Sequence, residues 1–165
     1  GTSKPTGTTT APKKDVPSKC SRSSKSTKLV ICIDNRLQTS YLRDGAGNVL
    51  LDLGTVTTSR EIRGSGDYLT PTGNWLVQCM DPLSGDGEDE CNPVSSGLKW
   101  LIQWPTSAGY NTSTHSYKKA RIGPGEDSNG CERVNPDLAD DLFAFVLAVF
   151  EVGGRIEVSV YESPV

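Results

Sequence analysis

The sequence is poor in residues on which many metal sites and membrane anchors depend. It has one histidine and one methionine among 165 residues, and aromatic residues make up 7% of the chain. One histidine and the lack of any Cys-x-x-Cys pair argue against the common zinc sites, so we expect no metal. No apolar run approaches the roughly 20 residues of a membrane-spanning helix. No signal peptide is visible, so we expect any targeting segment to have been removed or to lie outside this sequence.

Basic residues are scarce outside the N-terminal segment. Residues 1–28 carry seven Lys or Arg and one Asp, so the formal net charge of −3 leaves −9 on the rest of the chain. An acidic body without interleaved basic and aromatic residues argues against a nucleic-acid partner. The basic segment could bind anionic wall or membrane polymers, or it could be a solvated linker.

The composition changes near residue 28. Residues 1–27 are mostly Thr, Ser, Lys, Gly and Pro, which predicts a disordered tail or linker. Residues 28–165 are long enough to form one domain with its own core, and we expect this domain to be monomeric.

Short apolar runs separated by turn signals predict a mainly β domain. Asn135 followed by Pro136 is typical of a helix start and Gly153-Gly154 of a helix end, so we predict one helix over residues 136–151. The expected fold is a β-sandwich or partly closed barrel with this helix packed outside. The predicted strands are 29–33, 37–42, 49–58, 75–79, 98–104 and 155–161. Helical spacing assigns the buried face of the helix to Leu138, Leu142, Phe145, Val146 and Val149.

Five cysteines in a chain of this length suggest an oxidising compartment. Cys79 and Cys91 flank a polar loop and are the first choice for a disulfide, while Cys20 and Cys32 could form a second bridge that pins the tail to the first strand. Cys131 is then the odd thiol, which marks it as reactive.

The segment 114–134 brings together the only histidine and this odd cysteine. Ser128-Asn129-Gly130 before Cys131 describes a tight turn that delivers a thiol to the start of an ordered element. A thiol has an ordinary pKa of about 8.5, so a nearby base such as His115 is needed to form the nucleophilic thiolate. The alternatives are a buried structural thiol and a surface histidine.

These motifs resemble the catalytic domain of the L,D-transpeptidase (YkuD-type) family. The resemblance lies in His115-Ser116, the loop with Ile122-Gly123, and the run from Ser128 to Val134. The family usually reads Ser-His-Gly-Cys at the nucleophile, followed by an apolar residue and often Arg. Asp34-Asn35-Arg36-Leu37-Gln38 is similar to the family's first hairpin, and residues 70–75 are similar to its Thr-Pro-x-Gly-x-aromatic signature.

The resemblance implies acyl transfer on peptidoglycan stem peptides in a bacterial secreted, periplasmic or cell-envelope protein, without a cofactor. Cys131 is the implied nucleophile and His115 the base, and Ser116 orients the imidazole through its carbonyl or is merely a turn residue. Backbone N–H groups of Asn129, Gly130 and Cys131 are the implied oxyanion hole. The products would be a crosslink, an exchanged D-amino acid or a hydrolysed peptide.

Other side chains carry both a functional and a structural interpretation. Arg133 could bind a substrate carboxylate, or form an ion pair with an acidic neighbour such as Glu132 or Asp137. Tyr117, Trp100 and Trp104 could line a substrate groove, with at least two of them expected in the core. The acidic run at 86–90 could bind calcium, although a solvated lid loop is favoured because a complete ligand spacing is missing.

One departure from the family pattern concerns Asn129, which stands where the family has a second histidine. The core chemistry needs only the backbone N–H at this position, so an enzyme remains the expectation. A delivered antibacterial toxin with the same chemistry and a non-catalytic wall-binding module remain open. A sortase-like enzyme is disfavoured by the short spacing between His115 and Cys131.

Overall fold

Two mixed β-sheets and one α-helix make up the described part of the chain. The computed structural model describes residues 16–61, 64, 68–85, 91 and 97–164. A 3₁₀ turn, Lys119–Arg121, lies between the strands Asn111–Ser116 and Glu132–Val134. The strands are β1 Thr27–Asp34, β2 Thr39–Asp44, β3 Val49–Thr55, β4 Gly73–Leu76, β5 Cys79–Leu83, β6 Lys99–Pro105, β7 Asn111–Ser116, β8 Glu132–Val134 and β9 Arg155–Tyr161, and the helix is α1 Pro136–Phe150.

The larger sheet has the order β3-β2-β1-β9-β4, and the smaller has the order β5-β6-β7-β8. Strands β1 and β9 run parallel, as do β7 and β8, while the other neighbours are antiparallel. An isolated bridge between Thr57 and Arg133 links the chain after β3 to β8. The prediction of a mainly β fold with one helix is confirmed, and the described strands form no closed barrel.

One apolar core fills the space between the sheets and the helix. Period-2 alternation turns Ile156, Val158 and Val160 of β9 inward, as the sequence predicts. The smaller sheet contributes Ile102 and Trp104 from β6. Burial of these side chains supplies the main driving force for folding.

The helix packs into this core with much of the predicted face, and the prediction is confirmed for Leu142 and Val146. Asn135 caps it by accepting a hydrogen bond from the Asp137 N–H at 2.9 Å, and Pro136 occupies its first position. Phe145, predicted to be buried, is 44% exposed, whereas Phe143 is 5% exposed. The prediction is wrong for Phe145 because the helix is rotated about its axis so that Phe143 faces the core instead. The buried helix residues are Ala139, Leu142, Phe143 and Val146.

The predicted strand 75–79 is divided between the two sheets. Strand β4 ends at Leu76 and pairs with β9, whereas β5 begins at Cys79 and pairs with β6. Val77 and Gln78 form the crossing: the Val77 N–H donates to Ile156 and the Gln78 N–H donates to Gln103. The prediction of one continuous strand is therefore wrong.

Both predicted disulfides are present, Cys20–Cys32 and Cys79–Cys91, and Cys131 is free. The first bridge ties part of the predicted tail to the larger sheet. There the Ser23 N–H donates to the Glu157 carboxylate at 2.9 Å, and the Pro17 carbonyl accepts from the Glu162 N–H at 2.9 Å. Residues 1–15 of that tail lie outside the described residues.

Candidate active site

A tight turn places Cys131 at the start of β8. Gly130 has a φ of 133°, a left-handed conformation that side-chain-bearing residues rarely adopt, and a Cβ there would approach the Tyr68 carbonyl oxygen to 3.3 Å. The Ser128 hydroxyl donates to the Cys131 carbonyl and accepts from the Gly130 N–H at 3.2 Å. The backbone conformation at residue 130 therefore favours glycine, and the nearby Tyr68 carbonyl leaves little room for a side chain.

Two buried hydroxyls fix the peptide between Gly130 and Cys131. The Gly130 carbonyl oxygen accepts from Thr70 Oγ1 at 2.8 Å and from Thr112 Oγ1 at 2.5 Å. In a planar trans peptide the N–H points opposite to the carbonyl, so the Cys131 N–H is directed away from these two threonines. Thr70 is the first residue of the segment 70–75, which is similar to the family's Thr-Pro-x-Gly-x-aromatic signature.

The thiol lies on the outer face of the smaller sheet beside two side chains of β7. Ser113 Oγ is 3.2 Å from Cys131 Sγ, and the His115 imidazole lies close enough to the thiol to alter its proton affinity. His115 Nδ1 lies 2.8 Å from the Ser116 carbonyl oxygen, which leaves Nε2 for the thiol. Ser113 and His115 are buried, while Cys131 is half-buried. The structure thus brings together the predicted nucleophile, the predicted base and the backbone carbonyl.

The two groups change each other's proton affinity. Burial raises the pKa of the Cys131 thiol, but the hydrogen bonds and charge from His115, with those from Ser113, outweigh it and hold the pKa below its ordinary value. Burial lowers the pKa of His115, while the thiol and the Ser116 carbonyl raise it above its ordinary value, against the opposing charge of Arg133. Each group therefore shifts the other toward its charged form, the thiolate for Cys131 and the imidazolium for His115.

The predicted oxyanion donors are in different surroundings. The Gly130 N–H is engaged by Ser128 Oγ, and the Asn129 carbonyl accepts from the Tyr68 N–H at 3.2 Å. The Asn129 residue is exposed. The N–H of Cys131 is the donor whose direction is fixed by the buried threonines, and it is the best placed of the three to stabilise an oxyanion.

Arg133 lies next to His115 in the register of β7 and β8. Its guanidinium donates to the Arg121 carbonyl at 2.9 Å, lies 3.7 Å from Glu126 and stacks 4.3 Å from the centroid of the Tyr117 ring. Arg133 thus forms an ion pair with an acidic side chain, as one of its two interpretations expected, but the partner is Glu126, and Asp137 pairs with Lys119 instead. Glu132 is fully buried on the core side of β8.

Of the three aromatic residues considered for a substrate groove, Trp104 lies in the core and Trp100 packs against it, while Tyr117 lies near His115. Tyr117 is half-buried, and its ring centroid is 5.9 Å from that of His115. Trp104 is 0% exposed in the core between the sheets. Its assignment as a substrate-binding residue is therefore wrong, because β6 turns the face that carries Trp100, Ile102 and Trp104 inward.

Sequence reasoning missed Ser113 and Thr112. The signal for Ser113 was available, because residues two apart on a strand share a face and Ser113 precedes His115 by two. The same alternation places Thr112 on the opposite face of β7. Its hydrogen bond to the Gly130 carbonyl depends on the pairing of distant segments, which no alternation predicts.

A cavity lies beside the site and does not include it. It has a volume of about 540 Å³, and Arg36, Arg60, Thr70 and Tyr110 are among its lining residues. Cys131 and His115 do not line it. Among the described residues, no group of three or more His, Cys, Asp or Glu side chains could hold a metal ion, and residues 86–90 lie outside the described residues.

No family model matches the sequence, and no curated protein matches it. The fold is nevertheless similar to solved L,D-transpeptidases. One from Stackebrandtia nassauensis aligns with a TM-score of 0.60 at 16% identity over 88% of this chain and 60% of that one. One from Mycobacterium smegmatis aligns with a TM-score of 0.57 at 16% identity over 81% of this chain and 58% of that one.

A mutant L,D-transpeptidase from Enterococcus faecium aligns with a TM-score of 0.52 at 16% identity over 82% of this chain and 50% of that one. The chain thus spans between half and about three fifths of the length of these three structures. At such identities the likeness establishes the fold, and the chemistry must be argued from the site.

Proposed function

We propose that this protein is a cysteine acyltransferase that acts on peptidoglycan stem peptides. The observation that carries the proposal is the meeting of the free thiol of Cys131 with the imidazole of His115 on the outer face of the smaller sheet. A histidine-activated thiol is the nucleophile of acyl transfer. The substrate class comes from the L,D-transpeptidase fold and from the motifs around these two residues.

The first half-reaction forms a thioester. The Cys131 sulfur attacks the carbonyl carbon of the residue with the L-centre, and His115 holds the thiol proton. The N–H of Cys131 donates to the oxyanion of the tetrahedral intermediate. When the intermediate collapses, the carbon–nitrogen bond breaks and His115 returns the proton to the leaving amine of the terminal D-residue.

The second half-reaction decides the product. The amine of another stem peptide gives a crosslink, a free D-amino acid gives exchange, and water gives carboxypeptidase action. His115 accepts the proton of the incoming group, and the thiol is restored. Arg133 and Tyr117, next to His115, are the proposed contacts for a substrate carboxylate and its neighbouring peptide.

The two disulfides support a cell-envelope or secreted location. No helix in the described ranges is long and apolar enough to cross a membrane. Binding of the basic N-terminal segment to anionic polymers and a monomeric state remain predictions.

The test compares the protein with its Cys131→Ala variant on purified peptidoglycan, with Ser107→Ala in an exposed loop as the matched control. We expect crosslinked, exchanged or shortened muropeptides by mass spectrometry with the wild type and the control, and none with the alanine variant. An added D-amino acid carrying a heavy isotope separates exchange from hydrolysis. Identical muropeptides from all three proteins, together with co-sedimentation with the wall polymer, would instead identify a binding module.

A further inference from the structure

Glu132 follows the nucleophile directly but lies on the opposite face of the smaller sheet. It shares the inner face of β8 with the core residue Val134 and pairs in register with Thr114, the residue before His115. Its side chain is 0% exposed. Neither carboxyl oxygen makes a hydrogen bond. A fully buried carboxyl therefore lies on the core side of the strand pair that carries the catalytic groups.

Besides burial, two hydroxyls and one titratable group act on the Glu132 carboxyl. Ser40 of β2, across the core, and Thr114 of β7 turn hydroxyls toward the carboxyl, although neither hydroxyl makes a regular hydrogen bond. Strand β1 and helix α1 contribute apolar side chains to this core, including Ile31, Ile33 and the buried face of the helix. Among the titratable groups of the described chain, His115 is the one whose charge acts on Glu132.

Burial raises the pKa of Glu132 to about 7, against the smaller opposing effects of Ser40, Thr114 and His115. The carboxyl therefore gains or loses its proton in the range where a thiol–imidazole pair operates. An electrostatic interaction between two sites is reciprocal, so the ionised carboxylate must also favour the imidazolium form of His115.

We propose that Glu132 is a buried charge partner of His115, which promotes the thiolate–imidazolium pair from the core side of the sheet once its own proton is lost. Arg133 lies beside His115 on the outer face and acts in the opposite sense. Glu132 and Arg133, which are successive residues of β8, thus place a negative group on the core side of His115 and a positive group beside it on the outer face. The inference gives the proposed acyl transfer a pH control, and only its catalytic meaning rests on that function.

The test uses the fact that His115 is the only histidine of the chain. Its ring signals in an NMR titration from pH 5 to 9 report one group without assignment by mutation. The variants are Glu132→Gln and Glu132→Leu, which remove the charge with a polar and an apolar side chain. The second variant keeps the experiment informative if the buried amide of the first prevents folding. Glu157→Gln, which removes another buried carboxyl on the outer face of the larger sheet, is the matched control.

We expect both Glu132 variants to lower the His115 titration midpoint by about one pH unit, a roughly tenfold loss of proton affinity. In the same variants, the thiol should be alkylated more slowly at low pH than in the wild type. The Glu157 variant should leave the midpoint unchanged even if it unfolds more easily. A purely structural role for Glu132 would leave the midpoint where it is in the wild type.

Coinciding His115 titrations in the wild type and in whichever Glu132 variant folds would overturn the inference. So would a Glu132 carboxyl carbon signal that titrates near the ordinary pH of an exposed glutamate. These readouts do not depend on a substrate. A shifted titration in a protein that leaves peptidoglycan unchanged would refute the proposed function and keep the charge coupling.

Discussion

The Sγ atom of Cys131 and the Oγ atom of Ser113 lie 3.2 Å apart, although 18 positions separate the two residues in the chain. Ser113 is two residues before His115 on β7, so one strand supplies both side-chain partners of the thiol. The exposed Asn129, at the position where the related motif has a second histidine, takes no part in this contact. Ser113 is therefore the second side chain, besides His115, that acts on the sulfur.

Replacing Ser113 with alanine should raise the pKa of the thiol. A hydrogen bond to a charged group contributes about 1.5–3 kcal/mol, so iodoacetamide should alkylate the thiol at least about tenfold more slowly at neutral pH. The measurement is the alkylation rate against pH. Ser107→Ala, in the exposed β6–β7 loop, is the control. Superimposable profiles for the two variants would show that Ser113 does not act on the sulfur.

Replacing His115 with asparagine should have a larger effect, because it removes the proposed base. Burial would then raise the pKa of Cys131 without the opposing imidazole, so alkylation should need a pH above the ordinary thiol range. The wild type should remain reactive well below it. Loss of a general base typically costs 10²–10⁴ in rate, which stopped-flow measurement of thioester formation would detect. Unchanged reactivity at pH 6 would contradict the pairing.

The threonine pair that holds the Gly130 carbonyl makes a separate prediction. Thr70→Val and Thr112→Val keep the shape of each side chain and remove its hydroxyl, so each variant should unfold about 1 kcal/mol more easily. The double variant should also lose about tenfold or more in rate as the Cys131 N–H loses its fixed direction. Denaturant unfolding and steady-state turnover are the measurements.

Thr55→Val, at the exposed end of β3, is the control for this pair. If the double variant is less stable but turns over like the control, the Gly130 peptide serves the fold alone.

Glu157 should make the stability of the protein depend on acid. Burial raises its pKa, but hydrogen bonds from Thr27, Asn74 and Ser23 outweigh this and lower the pKa to about 2. A carboxyl whose folded-state pKa is depressed stabilises the fold above its ordinary pKa, and this contribution is lost as pH falls toward 2. Glu157→Gln should flatten the stability curve between pH 5 and 2, as urea unfolding would show. Asp52→Asn, on the exposed side of β3, should not.

Glu132 should have the opposite sign. Its folded-state pKa lies above its ordinary value, so its contribution to stability is full below about pH 4.5 and is lost as pH rises through about 7. Glu132→Leu should therefore gain stability relative to the wild type as the pH is raised from 5 to 8. Parallel unfolding curves for the two proteins across that range would contradict a buried ionisable carboxyl.

Local patterns in the sequence predicted much of this fold. Alternation identified the inward residues of β9, and the pair Asn135-Pro136 identified the start of α1 to the residue. Both disulfides followed from the polar loop and tail that they close. These features succeed because their physical causes act over neighbouring residues or leave a simple period.

The errors arise where a choice depends on distant contacts. The residues of α1 are apolar around much of its circumference, so tertiary packing decides whether Phe143 or Phe145 is buried. Alternation showed that Trp100, Ile102 and Trp104 share a face, but the second sheet decides that this face turns inward. The bond from Thr70 to Gly130 joins residues 60 positions apart, and no local pattern predicts it.

The place of β9 in the larger sheet has a consequence for biosynthesis. This late strand lies between β1 and β4, in the interior of the five-stranded order. Until residue 161 has left the ribosome, β1 lacks its parallel neighbour and β4 has no partner in its sheet. The larger sheet can therefore be completed only after nearly all of the described residues have been synthesised, whereas every strand of the smaller sheet is made earlier.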